Sequence, residues 1–246
     1  MTPALAIQGL SKRFGGLPAT KNVSFTVMPG ERRLIIGPNG AGKTTLFNLI
    51  TGDLYTDAGS IKLFGTELVG MPTEKRVHLG LARTYQILTL FPRETLLHNV
   101  KLALLGLDQA RWNPFASLAS RNNLDQRAQV ALDRVGLGDS SGRIVAETSY
   151  GERRRLELAM ACVQDPKLLL LDEPLAGLSQ EERKTVSDVL KTIPRDVTII
   201  MIEHDMDTAL EFAERITLLH YGEVIVEGTR AEVVADPRTR EVYLGD

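Results

Sequence analysis

A phosphate-binding pattern, G-x-x-x-x-G-K-S/T, is present in Gly37-Pro38-Asn39-Gly40-Ala41-Gly42-Lys43-Thr44. Its three glycines let successive backbone N–H groups face phosphate oxygens without a Cβ in the way. The Lys43 ammonium supplies a positive charge, and the Thr44 hydroxyl is placed to ligate Mg²⁺. The pattern therefore predicts that the chain binds a nucleoside triphosphate together with Mg²⁺. The loop residues expected to hold the nucleotide are Asn39, Gly40, Ala41, Gly42, Lys43, Thr44 and Thr45.

Two adjacent carboxylates, Asp172 and Glu173, follow four consecutive leucines at 168–171. The leucine run predicts a strand that is buried on both faces, as in a parallel sheet. Such a strand ends at the edge where open α/β sheets bind ligands. We expect Asp172 to bind Mg²⁺ and Glu173 to orient or deprotonate the attacking water, because phosphoryl transfer depends on positioned charges. A solvated pair of acids at a strand end is the alternative.

A third cluster, Ser149-Tyr150-Gly151-Glu152, precedes an apolar helical run that continues through Cys162. Ser149 is a good N-cap, and its hydroxyl together with the Gly151 N–H would form a second anion site. One chain has a single γ-phosphate site, which the glycine-rich loop already serves. A symmetric dimer, in which each cluster faces the partner's nucleotide, explains the second anion site most economically. The alternative is an ordinary capped helix with solvated arginines at 153–155.

The third cluster resembles the signature motif of ATP-binding-cassette (ABC) ATPases, and Asp172 follows Glu152 by 20 positions. With Tyr150 where many cassettes have glycine, the chain is similar to the ATP-binding subunits of branched-chain amino acid importers. The resemblance covers nearly the whole sequence. Two departures are small, since Tyr85 stands where phenylalanine is more usual and Glu152 where glutamine is frequent. Other matching segments are 83–86, 176–179, 202–206 and 242–245.

The resemblance also implies roles for three isolated residues. Gln86 is expected to reach the Mg²⁺ and the water, and His204, which follows the apolar segment 197–202, is expected to contact the γ-phosphate. Phe14 is expected to stack on adenine, and the alternative is a core or loop aromatic. The expected catalytic residues are thus Glu173, His204, Lys43 and Gln86; the metal ligands are Thr44, Gln86 and Asp172; and the nucleotide contacts outside the glycine-rich loop are Phe14, Ser149, Gly151 and Glu152.

Hydropathy patterns along the chain predict an α/β fold: a P-loop nucleotide-binding core with an N-terminal antiparallel β subdomain and an inserted α-helical subdomain. Short apolar segments at 5–7, 23–27 and 60–64 indicate early strands. Segments 94–105 and 124–135 have helical periodicity, and an alternation of strands and helices returns from 167. We expect one ABC ATPase domain, with the core at 1–87 and 165–246 and the helical signature subdomain at 88–164.

Composition narrows the classes of partner and compartment. The 246 residues carry a net charge of −2, so a nucleic-acid partner is not favoured. Cys162 is the only cysteine, which excludes an internal disulfide and is typical of a reducing cytosol. No apolar run is long enough to span a bilayer, and residues 1–8 lack the charged start and apolar run of a signal peptide, so we expect neither feature. We therefore expect a peripheral protein at the cytoplasmic face of the inner membrane, held there by a partner.

An apolar run at 87–92, directly after Gln86, is either a buried hinge or a docking surface for a membrane partner. The family resemblance favours docking. It implies a subunit that dimerises around two ATP molecules and powers a membrane importer for branched-chain amino acids. The implied partners are integral-membrane permease subunits, a second identical or different ATPase subunit and, indirectly, a substrate-binding protein.

Other functions of the same cassette design remain open from the sequence. The chain could be the ATPase of a urea importer or of a lipopolysaccharide exporter, because a cassette touches ATP and its partner rather than the cargo. A soluble cassette acting in translation or DNA repair is the third reading. That reading would be supported by a tandem second cassette, a long coiled coil or a basic arm, and the sequence has none of them.

Overall fold

The computed structural model describes residues 1–85, 90–107, 119–203 and 211–244, which form two β-sheets and three groups of packed helices. The strands are β1 (Leu5–Phe14), β2 (Leu17–Val27), β3 (Arg32–Ile36), β4 (Ala58–Leu63), β5 (Thr66–Glu67), β6 (Leu81–Arg83), β7 (Leu168–Asp172), β8 (Thr198–Ile202), β9 (Arg215–His220) and β10 (Glu223–Thr229). The helices are α1 (Lys43–Thr51), α2 (Thr73–His78), α3 (Leu96–Leu107), α4 (Ala119–Arg134), α5 (Tyr150–Cys162), α6 (Gln180–Thr192), α7 (Arg230–Ala235) and α8 (Pro237–Leu244).

The larger sheet has the strand order β10-β9-β3-β8-β7-β6. Strands β9, β3, β8, β7 and β6 run parallel, and β10 pairs with β9 in the antiparallel sense. All residues of β3, β7 and β8 are buried, so the prediction of a leucine strand buried on both faces is confirmed. The register places Asp172 beside Ile202. The strand ends that carry the expected site residues therefore meet at one edge of the sheet.

Apolar packing on both faces of the larger sheet forms the core. On one face, α1 and the smaller antiparallel sheet, with order β2-β1-β4-β5, enclose residues such as Leu46, Phe47 and Leu168. On the other face, residues from α5, α6 and α7 pack against alternate strand residues such as Leu169 and Leu171. This architecture confirms the predicted fold class. Among the helices of the described residues, none has the length and apolarity needed to cross a membrane.

A third apolar cluster joins α3, α4 and α5, with Leu96, Val100, Leu132 and Leu156 at its centre. These helices fall within the stretch expected to form the helical subdomain. Cys162, the last residue of α5, packs against the core, and burial raises the pKa of its thiol to about 11.

Several elements differ from their predicted bounds for local reasons. The strands β1 and β2 are longer than the predicted segments 5–7 and 23–27. The prediction was too short because the additional residues include charged and polar side chains that mask the strand pattern. The β9–β10 hairpin was not predicted at all. It turns at Tyr221 and Gly222, which have φ values of 46° and 80°, as a two-residue hairpin turn requires. The expected helices are shifted to 96–107 and 119–134.

A buried arginine, Arg33, connects the two sheets from the middle strand β3. Its Nε donates to Glu31 Oε1 at 2.6 Å, and its Nη1 donates to Glu227 Oε1 at 2.7 Å and Thr217 Oγ1 at 2.9 Å. Its Nη2 donates to the Thr26 carbonyl of β2 at 2.9 Å. Since the guanidinium is 1% exposed, each of these acceptors replaces water that the charge would otherwise bind.

We predict that Arg33→Met lowers the free energy of unfolding by about 3–5 kcal/mol, because Glu31 is left buried without its cation. Urea denaturation followed by circular dichroism measures the change. The control is Arg195→Met, which removes an exposed ion pair with Glu214 and should cost less than about 1 kcal/mol. Similar losses in the two variants would contradict the role assigned to Arg33.

Candidate functional site

The glycine-rich loop connects the end of β3 to the first turn of α1, which begins at Lys43. Lys43 is 7% exposed, and its Nζ donates to the carbonyls of Gly37 at 2.7 Å and Pro38 at 3.1 Å. The ammonium thus lies against the loop backbone. The Thr44 side chain is exposed at the helix start, where the positive end of the helix dipole also lies. This arrangement gives the loop a cation and a hydroxyl beside its backbone N–H groups.

The electrostatic environment of Lys43 links the loop to the acidic pair. Burial lowers the pKa of the ammonium, and the charges of Glu173 and Asp172 oppose that shift. Both carboxylates are therefore close enough to act on this cation. The folded chain brings together residues that lie about 130 positions apart in the sequence, as expected for loops at one edge of a parallel sheet.

Asp172, the last residue of β7, is 1% exposed and is held on one side by Arg83 of β6. Its Oδ2 accepts from Arg83 Nη2 at 2.7 Å. Its Oδ1 is buried and has no hydrogen-bond partner within the described part of the chain. A buried carboxylate oxygen without a donor is costly, and oxygen is the ligand that Mg²⁺ prefers. The residues present here therefore fit a magnesium ion bound at Asp172 Oδ1.

Arg83 itself has contacts with two neighbouring elements. Its Nη1 donates to Asn48 Oδ1 of α1 at 2.6 Å, and its guanidinium lies 4.7 Å from the ring centroid of Tyr85 and 5.5 Å from that of Phe47. The side chain joins the helix that follows the glycine-rich loop to the strand that ends in Asp172.

Glu173 has an unusual backbone conformation, with φ at +49°. For a residue other than glycine this left-handed region is disfavoured, and it persists where surrounding bonds fix it. The Glu173 N–H donates to the Ile202 carbonyl at 2.9 Å. The Glu173 carbonyl accepts from Arg154 Nη2 at 3.1 Å and from the Ala176 N–H at 3.2 Å. Three hydrogen bonds thus hold the backbone that carries the expected catalytic carboxylate.

Ser149 caps helix α5 through a complete capping box. Its hydroxyl accepts from the Glu152 N–H at 3.1 Å, and its own N–H donates to Glu152 Oε2 at 2.7 Å. The Ser149 hydroxyl at 3.5 Å and the Gly151 N–H at 3.1 Å also converge on Glu182 Oε1 of α6. A Cβ at position 151 would lie 2.5 Å from that oxygen, so a larger residue there would displace the Glu182 carboxylate. The two donors expected to form an anion site are in fact aimed at one carboxylate oxygen.

The remaining predicted residues are placed as follows. Phe14 is half exposed at the β1–β2 hairpin, with Lys12 Nζ 5.9 Å from its ring centroid. The side chains of Asn39 and Thr45 lie at the surface or partly buried, and Ala41 is buried. Gln86 and His204 lie outside the described residues.

The sequence reasoning missed four side chains of this region: Arg83, Arg154, Glu157 and Glu182. The sequence S-x-x-E at 179–182 is a capping-box signal that would have placed Glu182 at the start of a helix. The buried arginines have no comparable signal, because arginine in sequence normally indicates a solvated face. Only the packing of α5 against β6 and β7 shows their partners.

Comparisons with known sequences identify the family. The ABC transporter family model matches residues 20–176. LivG of Salmonella typhimurium, a high-affinity branched-chain amino acid transport ATP-binding protein, is 36% identical over 251 residues, covering 99% of this chain and 98% of LivG. BraF of Pseudomonas aeruginosa, which has the same description, is 33% identical over 255 residues, with 99% and 98% coverage.

Solved structures of related chains have the same architecture. The ADP conformation of MJ1267, an ATP-binding cassette of an ABC transporter, superposes with a TM-score of 0.86 at 28% identity, covering 100% of both chains. A nucleotide-free ATP-binding cassette from an ABC transporter gives a TM-score of 0.84 at 28% identity, covering 99% of this chain and 100% of the other.

We predict that two glycines of the loop differ in their tolerance of a methyl group. Gly42 has φ at +99°, and a Cβ there would lie 2.3 Å from the Ala19 carbonyl of β2. Gly40 has φ at +80° with no atom within 4 Å of the added Cβ. Gly40→Ala should cost about 1–2 kcal/mol from backbone strain, and Gly42→Ala should cost at least about 1 kcal/mol more because β2 must move. Urea denaturation of both variants is the measurement, and equal costs would contradict the predicted clash.

Proposed function

Because this chain belongs to the ABC transporter family, we propose that it is the ATPase subunit of a membrane importer whose cargo is branched-chain amino acids. Identity of 36% to LivG over nearly the full length supports this cargo class. We also propose that two such subunits form a dimer. The observation that supports the dimer is that the Ser149 hydroxyl and the Gly151 N–H both point at one anionic oxygen, Glu182 Oε1. These donors lie at the start of α5, a different element from the glycine-rich loop and α1, and a nucleotide shared between two subunits would use both anion sites.

ATP hydrolysis is divided among the residues at the edge of the larger sheet. Lys43 and the loop N–H groups bind the β- and γ-phosphates, and Glu173 accepts the proton of the attacking water while the bond to the ADP oxygen breaks. Asp172 Oδ1 and the Thr44 hydroxyl would hold Mg²⁺, which neutralises charge on the phosphate oxygens when it is bound. The proposed roles of Gln86 at the metal and water and of His204 at the γ-phosphate rest on the family resemblance.

Each active site is completed by a second ATPase subunit. In the proposed dimer, Ser149 and Gly151 donate to the γ-phosphate of the partner's ATP, which takes the place that Glu182 Oε1 has in the single chain. Glu152 remains tied to the Ser149 N–H and to Arg143, so it keeps the helix start in place. Phe14 is available at the surface to stack on adenine.

The permease subunits dock on a groove near the end of β6. This groove has a volume of about 270 Å³ and is lined by α2, β6 and α3, with Tyr85 at its rim. Phe91, in the apolar run that follows, is 53% exposed. We propose that this exposed ring and the groove belong to one docking surface, because exposed apolar groups mark interaction sites. Docking there would hold the subunit at the cytoplasmic face of the membrane and connect it, through the permeases, to a substrate-binding protein.

We predict that Glu173→Gln binds MgATP, hydrolyses it very slowly and accumulates as an ATP-bound dimer. Glutamine keeps the shape of the side chain but cannot accept the proton, while Asp172 and Lys43 still bind the nucleotide. Nucleotide bound between subunits then stabilises the dimer by linkage. Size-exclusion chromatography with light scattering, with and without MgATP, measures the oligomeric state.

The double variant Glu173→Gln/Ser149→Arg is the control for this dimer. It retains the chain's own nucleotide loop but blocks the anion site at the start of α5, so it should bind ATP and stay monomeric. A double variant that dimerises as well as Glu173→Gln would show that Ser149 does not face the partner's nucleotide.

We further predict that the tagged chain, expressed in its source organism, retains its permease subunits when membranes are solubilised in detergent. Phe91→Ser should reduce the recovered permeases several-fold, and Tyr221→Ser, on the β9–β10 turn and more exposed at 71%, should not. Uptake of radiolabelled leucine by the reconstituted complex tests the cargo class. Transport of urea instead, or co-purification with lipopolysaccharide export proteins, would replace the proposed cargo with one of the alternatives.

A further inference from the structure

A buried ion pair lies on helix α5, one turn after the signature cluster. Arg154 is 1% exposed, and its Nη1 contacts Glu157 Oε2 at 2.7 Å. Burial raises the pKa of the Glu157 carboxyl, while the hydrogen bond and charge of Arg154 oppose that shift. Because removing two charges from water is costly, such a pair persists only where further hydrogen bonds use its remaining atoms. The partners of those atoms show what the pair does.

The first partner is the backbone of Tyr85, the residue before Gln86. The Tyr85 N–H donates to Glu157 Oε1 at 3.1 Å, and the Tyr85 carbonyl accepts from Arg154 Nη1 at 3.0 Å. The ion pair thus binds both backbone polar groups of a single residue, Tyr85. These two bonds fix the backbone just after β6, at the residue that precedes Gln86.

The second partner is the carbonyl of Glu173, which accepts from Arg154 Nη2 at 3.1 Å. Glu173 is the residue held at a φ of +49°. A glutamate with a left-handed backbone conformation needs such hydrogen bonds to stay in that conformation, and Arg154 provides the one that comes from α5. The Tyr150 ring, 5.9 Å from the guanidinium, covers the same side chain.

We propose that Arg154 and Glu157 are positioning residues for ATP hydrolysis. The pair fixes the backbone of Glu173 and of Tyr85 to helix α5. The proposed base, Glu173, therefore keeps its position only while α5 is packed against it. The inference rests on the proposed role of Glu173 as the base. Arg154 acts through Glu173 and does not touch the nucleotide.

The planar guanidinium is essential to this arrangement. Two of its nitrogens donate in different directions to Tyr85 and Glu173, and a lysine ammonium on a flexible stem cannot reproduce that fork. A displacement of about 1 Å at a reacting group can cost about a hundredfold in rate. Loss of the fork should therefore lower turnover without removing a nucleotide contact.

The experiment compares Arg154→Lys and Glu157→Gln with the unaltered full-length chain. We expect kcat to fall by about tenfold to a hundredfold in Arg154→Lys, with the KM for ATP and the Kd of a fluorescent ATP analogue changing less than about threefold. Glu157→Gln keeps an acceptor for the Tyr85 N–H and should lose less. It also provides a second reading if Arg154→Lys does not fold.

The matched control is Arg32→Lys. Arg32 is also a buried arginine, and it donates to the carbonyls of Val197, Ile193 and Pro194 at the opposite end of the sheet from the phosphate loop. The Arg32→Lys substitution should lower the melting temperature of the protein and leave kcat per folded molecule unchanged. A kcat in Arg154→Lys equal to that in Arg32→Lys, or a parallel loss of nucleotide affinity, would overturn the positioning role.

A double-mutant cycle with Glu173→Gln separates this inference from the proposed function. If Arg154 acts through Glu173, adding Arg154→Lys to Glu173→Gln should lower the residual hydrolysis by less than about twofold. A further loss equal to that of the single variant would show that Arg154 acts elsewhere. Rapid turnover by Glu173→Gln alone would instead reject Glu173 as the base, whatever Arg154→Lys does.

Discussion

Parallel pairing of β3, β8, β7 and β6 is the constraint on which the site depends. Because the strands run in one direction, the loop after β3, the carboxylates after β7 and the segment after β6 emerge at the same edge of the sheet. All residues of β3, β7 and β8 are buried, so both faces of the sheet are covered at these strands. The positions of Lys43 and Asp172 follow from this pairing.

Buried arginines add the precision that apolar packing lacks. Contacts between apolar side chains have no preferred direction, so they determine only which layers pack together. A guanidinium, in contrast, holds several hydrogen-bond acceptors at defined angles. Arg33 joins the two sheets, Arg83 joins α1 to Asp172, and Arg154 joins α5 to Tyr85 and Glu173. Arg83 and Arg154 join elements that are far apart in the sequence, and Arg33 joins β3 to the neighbouring β2 and to the distant β9 and β10. Their burial is costly, so they are found where relative position matters to the site.

Much of the fold could be predicted from the sequence, because local patterns carry it. The leucine run before Asp172 and the glycine-rich loop before α1 each encode an element and its chemistry. Ser149 signals the start of α5 by its capping preference alone. The N-terminal strands were predicted too short because their polar residues mask the strand pattern, and β6, with three residues, is too short to show any period.

The supporting side chains of the site could not be predicted in the same way. An arginine three residues before a glutamate on a helix normally indicates a solvated pair, and Arg154 with Glu157 has that spacing. Their burial depends on where α5 packs against β6 and β7. Likewise, the contact of Glu182 with Gly151 requires two helix starts from distant segments to meet. Tertiary packing determined these partners, and no local pattern describes it.

The burial of Cys162 has a practical consequence for chemical labelling of this chain. The thiol is partly buried and its pKa is raised to about 11, so very little of it is thiolate at pH 7. The thiolate is the reactive form, so maleimide reagents should modify this position very slowly. Because Cys162 is the only native cysteine, a cysteine placed at the exposed Tyr221 would be modified selectively in the otherwise unaltered protein. Spin labels or fluorophores could then report distances between two copies of the chain without first removing a native thiol.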